Sequence, residues 1–258
     1  MDWANPIATA WFCFYLAAHI MDQIEDQDDP EGWWAEDGVG FALNVASGLY
    51  FSGSLALNQL MNDEKQAKAA KDILNGFYSG MLAMGSGQHR DITKPEQTLD
   101  QYWETARSKS GAFFGLACQS GARLVTNDPN RLDAFHQFGI HLGLYIQILD
   151  DLEELKRDKS ANLISKWAQL RRSLPIIYSL SVLPPDERQQ LQYFLKTGRE
   201  DPYAAEEAFR RMEECGTVLY MRTEMLRHHS KGIESLERAS PYPEKRELLA
   251  SFFTNLVK

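Results

Sequence analysis

The breadth of its apolar helical stripes most constrains this chain. Hydrophobic residues recur at helical spacing through nearly all of its 258 residues. In Gly111–Cys118 and in Phe138–Leu149 they cover more than one helix face. A helix apolar on several sides sits inside a bundle, not on a surface. Runs of alternating β-branched residues are few, and clusters of Pro and Gly separate the helical stretches. The pattern predicts helices over 4–27, 37–61, 63–87, 96–125, 129–156, 162–182, 186–197, 202–238 and 242–256. Length and periodicity together imply one all-α domain over residues 1–258, a large antiparallel helical bundle.

Charge is the second constraint. The chain has 27 Lys and Arg against 36 Asp and Glu, a net charge of -9. An acidic surface disfavours a nucleic-acid backbone as partner. An anionic small molecule stays admissible, because bound divalent cations invert the local field. The acids are concentrated. Residues 22–37 hold eight and residues 150–154 hold four, with no Lys or Arg in either segment. Those two short segments outweigh the net charge of the whole chain.

Each segment ends a strongly apolar helix. Asp22 and Asp26 are four residues apart, as are Asp150 and Glu154, so each pair shares a helix face. Like charges at that spacing repel, and the macrodipole disfavours acids at a helix C-terminus. Both placements call for a compensating cation, and an all-oxygen donor set suits Mg²⁺. The competing reading is two solvated acidic surfaces. A ferritin-like di-iron site needs Glu-x-x-His on two helices, and Glu224 with His228 has neither the spacing nor a twin. A Walker loop and a nucleophile elbow are also missing from the sequence.

At these residues the chain resembles the trans-isoprenyl diphosphate synthases, the polyprenyl synthetase family. That family carries two DDxxD motifs on facing helices. Here the first reads Asp22-Gln23-Ile24-Glu25-Asp26 and the second Asp150-Asp151-Leu152-Glu153-Glu154. Gly87-Gln88 with Asp91 resembles the GQ…D element, and Lys109-Ser110-Gly111-Ala112 the K-T-x-A element. Phe138 to Gln147 resembles the FG…LG…FQ helix, and Arg172-Ser173-Leu174-Pro175 the K-x-LP segment. The blocks keep the family's order across roughly residues 5–185.

The resemblance implies an isoprenoid-synthase bundle with a central apolar cavity. It implies Mg²⁺ held by Asp22, Asp26 and Asp150, with Asp151 and Glu154 completing the second cluster. Lys109 and Lys159 would contact an allylic isoprenoid diphosphate, with Gln88 and Gln147 beside it. The expected activity is a Mg²⁺-dependent prenyltransferase that condenses the allylic substrate with isopentenyl diphosphate. From the residues alone, Lys109 could instead pair with Glu104 or Asp100, Gln147 could be a core amide, and Lys159 a loop lysine.

Three departures from the family pattern bear on the reaction. Gln23 replaces an aspartate. Pro30-Glu31-Gly32-Trp33 stands where the family has an Arg pair for the homoallylic diphosphate. Only 21 residues precede the first motif, so a bundle short of its N-terminal helices is expected. A terpene synthase-like enzyme, a peptide-modifying prenyltransferase and a non-catalytic partner subunit are the alternatives these departures leave open.

The family sets product length on the helix before the first motif. There Ala17 and Ala18 are small and Phe14 lies a turn deeper, so the pocket floor is expected near Phe14. The resemblance implies a homodimer. The apolar stretch 7–20 is too short to cross a bilayer of ~30 Å and lacks a basic flank, so no membrane span or leader is expected. Cys13, Cys118 and Cys215 are too scattered for a disulfide framework, which suits the cytoplasm. His228 and His229 are expected to face solvent.

Overall fold

A computed structural model describes residues 3–26, 34–62, 67–93, 97–156, 173–198, 200–240 and 242–256. Among these residues there is no β-strand. The helices are α1 (Ala4–Asp26), α2 (Val39–Asn58), α3 (Ala67–Thr93), α4 (Leu99–Ala106), α5 (Ala112–Ala122), α6 (Pro129–Lys156), α7 (Leu174–Val182), α8 (Pro185–Thr197), α9 (Pro202–Glu214), α10 (Thr217–Ala239) and α11 (Pro243–Asn255). A 3₁₀ turn, Gln59–Asn62, extends α2, and a π-helical turn, Arg107–Gly111, joins α4 to α5.

The all-α reading of the sequence holds, and two of its helices break where the chain demands it. The stretch 96–125 is interrupted by the π turn. The stretch 202–238 is split at Gly216, whose φ of 85° is open to glycine at little cost. Helix α3 also runs on to Thr93, past the expected end at 87. Much of the expected helix 162–182 lies outside the described residues, and its described part is α7.

Helix α6 is the centre of the bundle, packed between α5 with its π turn on one side and α10 on the other. Glycine makes the first contact possible. A Cβ on Gly139 would fall 2.3 Å from the Phe114 carbonyl oxygen, and one on Gly143 2.4 Å from that of Ser110. The two backbones therefore touch, and the pairing of 139 with 114 and 143 with 110 makes α5 and α6 antiparallel. On the other side His141 meets His228, and Arg131 Nε donates to the Ala239 carbonyl at 3.0 Å, so α10 is antiparallel to α6 as well.

Helix α1 packs on α2. Ala17 meets Ala42 and Ala46, and the Phe14 ring lies against Gly53, Tyr50 and Phe77. The opposite face of α2, with the exposed side of α3, shows Phe41, Leu43, Phe51, Leu55, Tyr78 and Leu82 to solvent. Val39–Asn62, 24 residues, is long and apolar enough by length and composition to cross a membrane. The sequence expectation of no span looked to 7–20. It passed over this helix because Asn44, Ser47, Ser52 and Ser54 interrupt its apolar run.

The expectation for His228 fails. It is buried on the α6 side of α10, its Nδ1 3.0 Å from Nδ1 of His141. One turn on, Gly232 lies under the Phe253 ring of α11, which a Cβ there would meet at 2.5 Å. His229 is half-buried and lies 3.1 Å from the Thr254 hydroxyl.

Candidate functional site

The site is built around the π turn. Thr98 caps α4, accepting from the Gln101 amide, while the Gln101 side chain accepts from the Thr98 amide. The helix then widens at 107–111, and single π turns of this kind often mark functional positions. Gly87 lets α3 approach from one side, since a Cβ there would meet Ser108 at 3.3 Å. Gly143 lets α6 approach from the other. The turn is thus clamped between two glycine-bearing helices.

Of two consecutive residues of the turn, one reaches the first acidic segment and the other a glutamine just before the second. Lys109 Nζ donates to Asp22 Oδ1 at 2.6 Å, in α1. Ser110 Oγ donates to Gln147 Oε1 at 2.6 Å, in α6. The pairing of Lys109 with Glu104 or Asp100 is therefore not the one found. Gln147 Nε2 in turn donates to Asp151 Oδ1 at 3.2 Å. Gln88, on α3, donates from Nε2 to Glu25 Oε2 at 2.9 Å, and its own Oε1 is buried without a hydrogen-bond partner.

The two adjacent aspartates of the second motif have different surroundings. Asp150 is exposed. Asp151 is 5% exposed, and its Oδ2 accepts from the Tyr102 hydroxyl at 2.8 Å and the Leu174 amide at 2.9 Å. A step of one residue turns a helix by 100°, so neighbours cannot share a face. The side chains of Asp26 and Glu154, and all of Lys159, lie outside the described residues. Among the described residues, no three His, Cys, Asp or Glu side chains are close enough to hold a metal ion together.

Below Asp22 the α1 stripe continues through Ala18 and His19 to Tyr15 and Trp11. Tyr15 stacks on Trp11 at 5.6 Å, and Trp11 stacks on Phe113 at 4.8 Å, between ring centroids. Trp11 Nε1 also donates to the Phe113 carbonyl at 3.2 Å. An aromatic wall thus runs from the acidic end of α1 into the bundle. Phe14 and Ala17 point elsewhere on the same helix, into the packing with α2 and α3, and Phe14 is only 2% exposed.

Sequence reasoning missed Glu25, Ser110 and Tyr102. Glu25 sits at an open position of the first motif, and Ser110 fills the hydroxyl position of the K-T-x-A element, where only the lysine was given a role. Tyr102 is a single buried tyrosine on a short helix, and nothing in the sequence distinguishes it from core.

Residues 2–212 match the family described as polyprenyl synthetase. Among curated relatives, the chain is similar to geranylgeranyl diphosphate synthase of Mycobacterium tuberculosis, 27% identical over 69% of this chain and 53% of that protein. It is also similar to tryptophan prenyltransferase ComQ of Bacillus subtilis subsp. natto, 27% identical over 53% of this chain and 40% of that one. The chain thus spans about half the length of these relatives. Among solved structures, geranylgeranyl pyrophosphate synthetase from Pyrococcus horikoshii superposes with a TM-score of 0.83 at 22% identity, covering 97% of this chain and 79% of that one, a likeness of fold.

Proposed function

The chain belongs to the polyprenyl synthetase family, and from that premise we propose that it is a Mg²⁺-dependent prenyltransferase acting on allylic isoprenoid diphosphates, with isopentenyl diphosphate as the second substrate. One observation carries the reading. Consecutive residues of a clamped turn, Lys109 and Ser110, engage Asp22 of one acidic segment and Gln147 beside the other. A cation and two carboxylate-bearing helix ends thus share one locus.

The donor chemistry fits Mg²⁺. Asp22 offers oxygen ligands on a partly exposed side chain in the last turns of α1, and Asp150 on an exposed side chain towards the end of α6. Asp22, Asp26, Asp150 and Glu154 are the proposed ligands, and bound Mg²⁺ would neutralise charge on a departing diphosphate. Lys109 binds the diphosphate as a fixed positive charge, and Lys159 is proposed to do the same. Gln88 and Gln147 orient it by hydrogen bonds. Trp11, Tyr15 and Phe113 present ring faces to the isoprenoid, where a developing allylic cation gains cation–π stabilisation and is kept from water. Ala18, on the aromatic stripe, and Ala17 and Phe14, packed beside it against α2 and α3, are proposed to set how long a chain fits.

A second acceptor is favoured by one observation. Residues 30–33, Pro-Glu-Gly-Trp, carry no cation to hold a second diphosphate. With a relative described as a tryptophan prenyltransferase, this supports an uncharged acceptor such as an indole side chain in a peptide.

The test is incubation with Mg²⁺ and geranyl, farnesyl or geranylgeranyl diphosphate. It is run alone, with isopentenyl diphosphate, and with a tryptophan-containing peptide. A longer diphosphate is expected in the second arm, and a prenylated peptide would support the second reading. Diphosphate release in the first arm alone would point to a terpene synthase-like reaction. No turnover and no Mg²⁺-dependent ligand binding would overturn the enzyme reading.

We also place a second copy of this chain on the exposed apolar face of α2 and α3. The polar residues spaced along α2 suit a protein neighbour better than lipid. The scattered, unpaired cysteines suit the cytoplasm.

A further inference from the structure

We infer that Asp151, with Tyr102 and Gln147, is a positioning residue that fixes the π turn and so aims Lys109, and is not a ligand of the metal. The inference rests on the reading of the site as one for a prenyl diphosphate.

A carboxylate has about four acceptor positions. In Asp151, Oδ2 accepts from Tyr102 Oη at 2.8 Å and from the Leu174 amide at 2.9 Å, and Oδ1 accepts from Gln147 Nε2 at 3.2 Å. Most of its capacity is committed within the protein. Its negative charge is stabilised where it lies. Leu174 is the first residue of α7, so its amide is one of the donors a helix leaves unsatisfied, at the positive end of the macrodipole. The side chain is buried, whereas Asp150 beside it is exposed. The adjacent acids divide the work: Asp150 faces outward to a cation and Asp151 faces inward to the protein.

The charge also sets the polarity of a relay. An ionised carboxylate only accepts, so it draws the nitrogen end of the Gln147 amide. That leaves Oε1 to accept from Ser110 at 2.6 Å. Ser110 adjoins Lys109 in the π turn. Tyr102 stands eight residues before Ser110 on the same helical run and bonds the same carboxylate directly. Asp151 therefore braces the turn from both ends, once through Tyr102 and once through Gln147 and Ser110. The segment between carries Lys109, whose Nζ must reach across to α1.

The experiment uses the full chain and inorganic diphosphate, binding being followed by calorimetry. Four variants are compared: Tyr102→Phe, Ser110→Ala, Asp151→Asn and Asp150→Asn. Tyr102→Phe is the mild one, and it keeps the test open should Asp151→Asn fail to fold. Two quantities are read: affinity for diphosphate at saturating Mg²⁺, and the Mg²⁺ concentration giving half-maximal binding. Tyr102→Phe, Ser110→Ala and Asp151→Asn should each weaken diphosphate binding about tenfold, the scale of one hydrogen bond to a charged group, with the Mg²⁺ midpoint unchanged. The effects of Ser110→Ala and Asp151→Asn should fall short of additive, because they break one relay. Asp150→Asn should move the Mg²⁺ midpoint. If Asp151→Asn moves that midpoint as far as Asp150→Asn does, or Tyr102→Phe leaves diphosphate affinity intact, Asp151 is not a positioning residue, while the proposed function survives. If the wild-type protein does not bind diphosphate at any Mg²⁺ concentration, the functional reading falls and takes this inference with it.

Discussion

Lys109 Nζ lies 2.6 Å from Asp22 Oδ1, joining residues 87 positions apart in the sequence. The pair is about a quarter to a third exposed, so its contribution to folding is small. Its worth lies in placing a cation at the acidic end of α1. Lys109→Met should therefore lower kcat/KM for the allylic diphosphate by about 100-fold or more, the scale of losing one transition-state charge donor. The melting temperature should stay within about 3 °C of wild type, as the loss of one partly exposed ion pair implies. A large drop in melting temperature would show that the lysine is structural.

Gly143→Ala tests the contact of α6 with the π turn. The added Cβ would lie 2.4 Å from the Ser110 carbonyl oxygen, and that atom is backbone. Relief requires moving two helices apart, at a cost of about 3 kcal/mol, the upper part of the usual range for overpacking. Chemical denaturation should report this loss. Gly121→Ala, where a Cβ meets nothing within 4 Å, is the control and should be near neutral.

Phe14→Ala tests the floor of the hydrocarbon pocket. The ring is 2% exposed and packs on Tyr50 and Phe77. Its removal should cost about 3–5 kcal/mol and leave a cavity. If Phe14 ends the pocket, the variant releases products longer by at least one isoprene unit, seen by chromatography of the dephosphorylated alcohols. An unchanged product would shift the role to Trp11 and Tyr15.

The pair His141 and His228 predicts a pH dependence. Burial first, and then Lys231, Arg107, Arg227 and Arg238, hold His141 down at about 4. Burial, then His141, Arg227, Lys231 and Arg107, hold His228 at about 3. Both folded values lie below the ordinary 6.5, so below that pH the unfolded chain binds more protons and stability falls as the pH falls. With the contribution of the half-buried His141 discounted for solvent screening, unfolding free energy should drop about 2 kcal/mol from pH 7 to pH 5. The variant carrying His141→Gln and His228→Gln should lose most of that slope in urea titrations at the two pH values.

The exposed face of α2 predicts an oligomeric state. Phe51 and Leu55 are 71% and 66% exposed on one stripe of that helix. The wild-type chain should sediment as a dimer, and the variant with Phe51→Glu and Leu55→Glu as a monomer. A wild-type monomer that floats with lipid vesicles would assign this face to a membrane instead.

Helical class and the bundle follow from apolar periodicity, because a stripe covering several faces has no other stable place. The acidic segments stand out because like charges at helix C-termini run against local electrostatics. The π turn was not legible, since its cause is tertiary: glycines on α3 and α6 admit it, and neither is near 107–111 in sequence. The break at Gly216 carried a signal, a glycine closing α9, but the apolar period ran straight across it. His228 was misread for a related reason. Its burial comes from packing on His141 and Trp103, on other helices, and close approach of helices leaves no mark in hydropathy. The role of Asp151 was hidden by its neighbours, because an acid in an acidic run looks like every other.

The backbone contact of α6 with α5 at Gly139 and Gly143 has a consequence for how such a protein can diversify. Side-chain interfaces yield to substitution by repacking, but two touching backbones have nothing to trim. That half of the bundle is an anvil, holding the π turn and its lysine at a set height whatever the substrate. Tolerance for bulkier or slimmer hydrocarbons must then come from the α1 half, where alanines, one phenylalanine and a facing glycine can be exchanged singly. In the proposed site, the residues that aim Lys109 and those that set substrate size thereby sit on opposite walls, and substitution can retune the second while the first stays fixed.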